Sequence, residues 1–545
     1  MYIKTTRNPR GQAYYHLVES YRQDGKVKQR VLLSLGKQDE GKIEKLAAAL
    51  SKHSEKISAI QQVKNIDVKH AYIAGPLLIL DRVIKDLGIE ALVDQICSQH
   101  KRLDLNLQKI LFTLIASRWV EPVSKLELYD RWIDKFYPAL IDDDIQLHQL
   151  YRTLDIMAKH KEESEKFLYS YGRDLFSIQT DVVLYDLTTL RFESTREDTD
   201  GLRRFGFSKE MRHDCTQVVL GLLTDTEGMP LCFEVHPGNT FEGHTLSGIV
   251  NKMKKKFQVR RFIFVADRGL FSQDNLTFIK QQKGEFIVGM RLGKLKKPAD
   301  DYYDMNKYKW LNENLAIYET TYKGDRLIIT WAKARAEKDR KTREEVLTRI
   351  RKRLASGKGS VKHFITHKHY KKYIAVKGEK PVLNKKAIEE EEKKDGFFGI
   401  ITNVKTLKPE EIVTQYKQLW KIEDAFGEIK GTLKVRPIFH WTNQRIIGHI
   451  MVCFLAYLCQ SYLTKKLRQH GKMLKSKAIN KNIIKPRPLT APMAINELCD
   501  VLAVPVETAS KRLWIRTDIR ENGIKLFKAL GMQIPPKILK TEAKV

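Results

Sequence analysis

The chain has 545 residues, so at ~150 residues per domain it is too long for one ordinary core. Its 42% hydrophobic and 30% charged residues exclude wholesale disorder, and six cysteines without a CxxC pair exclude a disulfide scaffold and a zinc ribbon. Lys plus Arg number 98 against 66 Asp plus Glu, a formal charge of +32 that points to a polyanionic partner, nucleic acid being the commonest.

In chain order, Tyr14–Arg22 and Lys26–Leu35 read as strands around an Asp24-Gly25 turn, so residues 1–70 are expected to be a β-rich segment with a hairpin. From 71 to 175 the period is helical. Leu77, Leu80, Val83, Ile84 and Leu87 share one face before a Gly88 cap, and Ile110–Trp119, Lys125–Phe136 and Leu147–Tyr169 follow as helices. Such an all-α module suits DNA binding or docking equally.

Residues 176–289 alternate strand and helix. Asp181–Tyr185, Gln217–Leu223 and Pro230–Val235 are strands, Phe241–Lys254 a helix, Arg261–Ala266 a strand, Asn275–Gln282 a helix and Glu285–Gly289 a strand. The fold class is α/β with a mixed sheet. From 290 to 394 that pattern gives way to strand-like runs and charge clusters, with 15 Lys or Arg against 4 Asp or Glu between Lys333 and Lys372. This reads as a basic, β-rich insertion. The α/β pattern returns over 395–464 with strand Phe397–Asn403, a long helix Pro409–Leu433 and a helix Ile446–Leu463 that is apolar nearly all round, hence buried. Residues 465–545 form a basic C-terminal region expected to be helical. Met1–Arg10 holds no apolar leader, and the longest apolar run, Ile450–Cys459, is well short of the ~20 residues of a membrane span. The expectation is a soluble cytosolic protein without a membrane partner.

Three carboxylates stand out. Asp186 follows the apolar run Val182–Tyr185, Asp267 follows Phe262–Ala266, and Glu423 lies in the helix Pro409–Leu433. Ends of strands in open α/β sheets are where sites form. Converging carboxylates repel unless a cation sits between them, and an oxygen-only site suits Mg²⁺. Ordinary capping aspartates look the same one at a time. Tyr416, Glu423 and Lys430 are seven apart, which places them on one face of a continuous helix. That face fits a metal ligand flanked by phosphate contacts, though on pattern alone a solvated amphipathic helix with an ordinary Glu–Lys pair is the commoner reading.

YDLTTLRFES (Tyr185–Ser194), HPGNTFEGHTL (His236–Leu246), VADRGLFSQDNL (Val265–Leu276) and YKQLWKIEDAFGEIKGTLKVRPIFHW (Tyr416–Trp441), with RWVEPVSKLELYDRW (Arg118–Trp132), resemble insertion-sequence transposases of the DDE type, which have an RNase H-like catalytic domain. The last stretch resembles the Tyr-x2-Arg-x3-Glu-x6-Lys signature of the branch with a β-rich insertion before the catalytic Glu. The resemblance implies that Asp186, Asp267 and Glu423 are the catalytic, metal-binding triad, with two Mg²⁺ ions for which Mn²⁺ can substitute. It implies DNA contacts at Tyr416 and Lys430. Lys434 and Arg436 extend that basic face, and Arg268 beside Asp267 suits a DNA contact or a salt bridge. It further implies cleavage at transposon ends and strand transfer into target DNA by a homodimer, in the nucleoid of a prokaryotic cell. The signature's Arg position is Leu419 here, with Lys417 and Lys421 as nearby cations. A transposase-derived DNA-binding protein without catalysis, and a nuclease that cuts without joining, share these features. His363, His367 and His369 could ligate a metal, and His236, His244 and His440 could line the site or be structural. No GxxxxGK[ST] loop is present, which argues against an NTP-driven motor.

Overall fold

The computed structural model describes residues 2–23, 26–37, 42, 70–100, 103–142, 144–176, 182–241, 243, 245–255, 262–270, 272–294, 300–356, 364, 366–367, 370–377, 380–471, 473–474, 487–507 and 511–543. Strands β1 (Tyr2–Arg7), β2 (Ala13–Gln23) and β3 (Lys26–Gly36) form an antiparallel sheet, and the pair Gln23↔Lys26 closes the expected hairpin. Its turn, Asp24-Gly25, lies outside the described residues.

Helices α1 (Gly75–Asp86), α2 (Ile89–Ser98), α3 (Leu107–Val120), α4 (Leu147–Lys159) and α5 (Lys161–Phe176) follow. Leu77, Leu80 and Val83 are fully buried, as their spacing predicts. Gly88 joins α1 to α2 at φ 68°, where a Cβ would strike the Tyr171 ring. Two expected helices differ. Leu147–Tyr169 breaks at His160, whose ring bonds Glu163 at 2.9 Å and His100 at 3.1 Å. Lys125–Phe136 is a series of short irregular turns, drawn out at its end by the bridge from Phe136 to Ile73.

The main sheet begins with the antiparallel meander β5 (Val182–Arg191), β6 (Gln217–Asp225) and β7 (Pro230–Pro237). After α6 (Leu246–Lys255), strand β8 (Ile263–Ala266) lies parallel to β5; after α7 (Gln273–Gln281), strand β9 (Glu285–Met290) lies parallel to β8. An antiparallel meander followed by two parallel strands makes this the mixed sheet of an α/β fold, as the sequence predicts. Its apolar runs are continuous because both faces are covered: Leu184, Val218 and Val265 belong to one core, Val183, Val219 and Phe264 to the other.

The insertion continues the same sheet. Strands β10 (Lys309–Asn312), β11 (Leu315–Tyr322) and β12 (Asp325–Ala332) precede helix α8 (Lys333–Ala355), hairpin β13 (Ile374–Lys377) and β14 (Lys380–Leu383), and helix α9 (Lys385–Glu392). Strand β15 (Phe397–Thr402) pairs β9 on one side and β12 on the other, giving nine strands in the order β10-β11-β12-β15-β9-β8-β5-β6-β7. The densely charged stretch from Lys333 is thus a helix rather than strand. Its charges fall at helical spacing, as in the pairs Arg335–Asp339 and Arg340–Glu344.

Helices α10 (Pro409–Lys417) and α11 (Trp420–Lys430) lead to α12 (Asn443–Gln469), around which α1, α3, α4 and β7 pack. By length and composition α12 could cross a membrane, yet 89% of its apolar window is buried inside the protein. It is bonded to both halves. Trp119 donates to the Ala456 carbonyl (3.1 Å) and Tyr462 to Asp86 (3.0 Å), while Tyr457 donates to the Gly228 carbonyl in the β6–β7 turn (3.2 Å). A buried ionic cluster also joins the halves. Glu165 of α5 accepts from the Phe233 amide (3.0 Å) and pairs with Lys161 (3.0 Å) and Lys252, and Lys252 also pairs with Glu234 (2.9 Å).

The C-terminal region contains strands as well as helices: α13 (Ala491–Leu498), β16 (Leu502–Glu507), β17 (Lys511–Arg516), α14 (Glu521–Ala529) and β18 (Ile538–Ala543). Strand β4 (Tyr72–Ile73), far away in sequence, pairs β16 and completes a four-stranded sheet.

Candidate active site

The parallel ladder between β5 and β8 ends at the pair Tyr185↔Ala266. Asp186 and Asp267 are the next residue on each strand, so register alone puts them side by side where the ladder stops. The short strand expected to end at Asp186 instead runs to Arg191, because Leu187–Arg191 go on pairing with β6. Asp186 is half-buried, and its Oδ1 accepts from the Leu187 amide at 2.7 Å; Asp267 is exposed.

Tyr416, at the end of α10, donates its hydroxyl to Asp267 Oδ1 at 3.1 Å. Its ring packs on Phe398, centroids 5.1 Å apart, and lies over Gly289 of β9, where any Cβ would collide with the hydroxyl. Burial, and then the Asp267 carboxylate, push the phenol's pKa up, so it stays a proton donor. Glu423 is exposed on α11, which packs on β5. Among the described residues no three His, Cys, Asp or Glu side chains gather closely enough to hold a metal ion. The structure therefore brings together Asp186, Asp267 and Tyr416, with Glu423 on the adjoining helix.

The expected continuous helix is interrupted. Leu419 N bonds Tyr416 O (3.2 Å) and Lys421 N bonds Gln418 O (2.9 Å), a tight turn that ends α10 and starts α11. Tyr416 thus sits on one helix, and Glu423 and Lys430 on the next. Leu419 is 9% exposed and packs in the core with Ile422 and Phe426. An apolar contact occupies the signature's Arg position. Lys421 does not replace that Arg, because it donates to the Thr226 carbonyl.

Lys430, Lys434 and Arg436, expected to contact DNA, each have an acidic partner. Glu210, between β5 and β6, receives Lys430 (2.8 Å), Arg436 (2.8 Å) and Arg191 (3.1 Å). Burial disfavours its charge, but Lys430 and the arginines hold its carboxyl below the ordinary range. Lys434 pairs with Glu121 at 3.2 Å. Arg268 is exposed beside Asp267. The Glu210 cluster was not legible, since Glu210 lies in none of the recognised stretches and its cations come from two of them far apart in the chain. Of the insertion histidines, His367 stacks on Tyr370; His363 and His369, like His244, lie outside the described residues.

Residues 178–459, just over half of the chain, match the family described as transposase DDE domain. The chain belongs to the DDE transposases. Residues 3–63 match the IS1634 family transposase N-terminal domain, which places the transposase among those of insertion sequences. No curated protein matches it. Among solved structures, the Mos1 transposase paired-end complex with left transposon end is similar at 15% identity and a TM-score of 0.15. The match covers 37% of this transposase and 57% of that chain. DDE transposase domains generally use divalent metal ions.

Proposed function

We propose that this transposase cuts DNA at the ends of its own element and joins the freed 3′-hydroxyls to target DNA, with Asp186, Asp267 and Glu423 as its acidic triad. The observation that carries this reading is the register of β5 and β8, which sets Asp186 beside Asp267 just past their last pair. The donor chemistry fits a hard divalent cation, Mg²⁺ with Mn²⁺ as substitute and two ions as the expected number. Asp186 and Asp267 would hold it from the sheet and Glu423 from α11. A bound metal supplies charge stabilisation for the phosphoryl oxygens and a more acidic attacking water. Tyr416 orients Asp267 through its hydroxyl. Arg268, Lys430, Lys434 and Arg436 are the DNA contacts; for the last three, a phosphate must displace Glu210 or Glu121. A homodimer on paired ends, acting at the nucleoid of a prokaryotic cell, is the assembly this implies.

Burial of Leu419 at the signature Arg position favours a second reading, a chain that binds ends without cutting. The test is cleavage of DNA carrying the element's ends, with Mg²⁺ or Mn²⁺, by wild type and by Asp186→Asn, Asp267→Asn and Glu423→Gln. Metal-dependent nicks at the ends, absent from all three variants, are expected. Binding without cutting supports the second reading, and cutting that survives all three substitutions places the active site elsewhere. Joined products separate transposition from simple nuclease action.

A further inference from the structure

A cavity of about 320 Å³ opens where the helical region meets the segment after α11. Two of its lining cations are buried: Arg118 and Lys125, each 4% exposed. Among the described residues, Arg118 donates only to carbonyls, those of Val123, Leu433 and Lys434. Lys125 Nζ donates to His449 Nδ1 at 2.7 Å. His449 Nε2 must carry its proton to bond the Val435 carbonyl at 2.9 Å, so Nδ1 is the acceptor. Among the described residues no carboxylate lies within ion-pair distance of Arg118 or Lys125. Glu121, the acid whose charge Arg118 feels, is taken by Lys434.

Buried charges are normally paired, because each unpaired ion forfeits several kcal/mol of hydration. Carbonyl dipoles ease Arg118, but its charge, and that of Lys125 whenever it is protonated, has no carboxylate to offset it. Burial first, then Arg118, push Lys125 down to about 7. The N-terminus of the 27-residue α12 also faces the cavity through Thr442 and Arg445, and adds a partial positive charge. The two buried cations and the helix N-terminus select an anion, and donors arriving from several directions suit a tetrahedral one; Arg445 also pairs with Asp155 at 3.4 Å, which an anion would compete with.

We infer that this cavity is a phosphate-binding site, with Arg118 and Lys125 at its floor and Arg445 at its rim. The source of the phosphate is either free phosphate or a DNA strand; only the strand source rests on the proposed function. The full chain, without metal, is melted in rising inorganic phosphate, and separately titrated with a 5′-phosphorylated DNA duplex. Lys125→Met and Arg445→Gln are run beside wild type. A saturable rise in melting temperature with inorganic phosphate, lost in Lys125→Met and shifted about tenfold in half-saturation by Arg445→Gln, is expected. Lys125→Met without phosphate should melt no lower than wild type, since it removes an unpaired buried charge; a merely structural lysine would melt lower. If Lys125→Met does not fold, Arg445→Gln alone decides. A response to the duplex only, weakened about tenfold by either substitution, supports the site with a strand as its source. No response to either probe, or a response that both variants retain, overturns it. Cleavage does not enter the measurement, and Asp267→Asn should keep the full phosphate response, so failure here and failure of the transposition reading are distinguishable.

Discussion

Replacing Tyr416 by Phe removes one hydroxyl and keeps the ring. The ring stays packed on Phe398 and over Gly289, so the fold should lose no more than ~1 kcal/mol. What disappears is the 3.1 Å bond to Asp267 Oδ1. Asp267 is exposed, so water replaces much of that bond in the metal-free fold. Groups that orient metal ligands change metal affinity about 10- to 100-fold when they are removed. The half-saturating Mn²⁺ concentration, read by calorimetry on the full chain, should therefore rise ~10- to 100-fold in Tyr416→Phe while the melting temperature holds. The same substitution in an Asp267→Asn background should change Mn²⁺ binding little, because the acceptor's charge has gone. Unchanged or tighter Mn²⁺ binding in Tyr416→Phe would refute the claim that this hydroxyl positions Asp267.

Glu210→Gln should release Lys430, Arg436 and Arg191 from their shared carboxylate. DNA affinity should rise, and its dependence on log salt steepen by up to about 0.9 per phosphate gained; an unchanged salt slope counts against the cluster as a competitor of DNA. Because the folded state depresses the Glu210 pKa, the stability it contributes is complete above the ordinary carboxylate range and is lost as pH falls through the depressed value. Melting between pH 6 and pH 3 should show that loss in wild type and less of it in Glu210→Gln. Glu165→Gln leaves Lys161 and Lys252 buried with too little negative charge and should cost about 3–5 kcal/mol in urea unfolding, part of it recovered by adding Lys252→Met; a cost below ~1 kcal/mol would mean that the cluster is not what joins α5 to β7. Leu419→Arg restores the signature residue but buries a charge. It should destabilise the fold on the order of 3 kcal/mol without speeding cleavage, and a stable, faster variant would show that the side chain can reach the site.

The DDE half was legible because its signals are local. Val182–Tyr185 and Phe262–Ala266 are apolar on both faces, so each announces a buried strand, and the aspartate that follows marks where the ladder stops. Parallel pairing of those strands then needed only register. Contacts between distant stretches were not legible. Tyr72–Ile73 pairs Leu502 and Ala503, and nothing in either segment names the other. Glu210 collects cations from β5, α11 and the stretch beyond it. Leu419 reads as a lost arginine in a signature, while its burial depends on how α10 and α11 meet. Lys333–Ala355 shows why charge density misleads: ion pairs at helical spacing hold a helix where composition suggested strands interrupted by charge clusters.

Helix α12 serves as a shared axle. The DDE family match ends at residue 459, partway along this helix, which continues to Gln469. A fragment trimmed to that boundary would discard the buried Leu463 and Leu467 and strip the remaining turns of their cover from α1, α3 and α4. The DDE half and the helical half therefore share one packing element. A substitution that shifts α12 reaches α1, α3 and α4 as well as β7, so related elements are expected to exchange the two parts together.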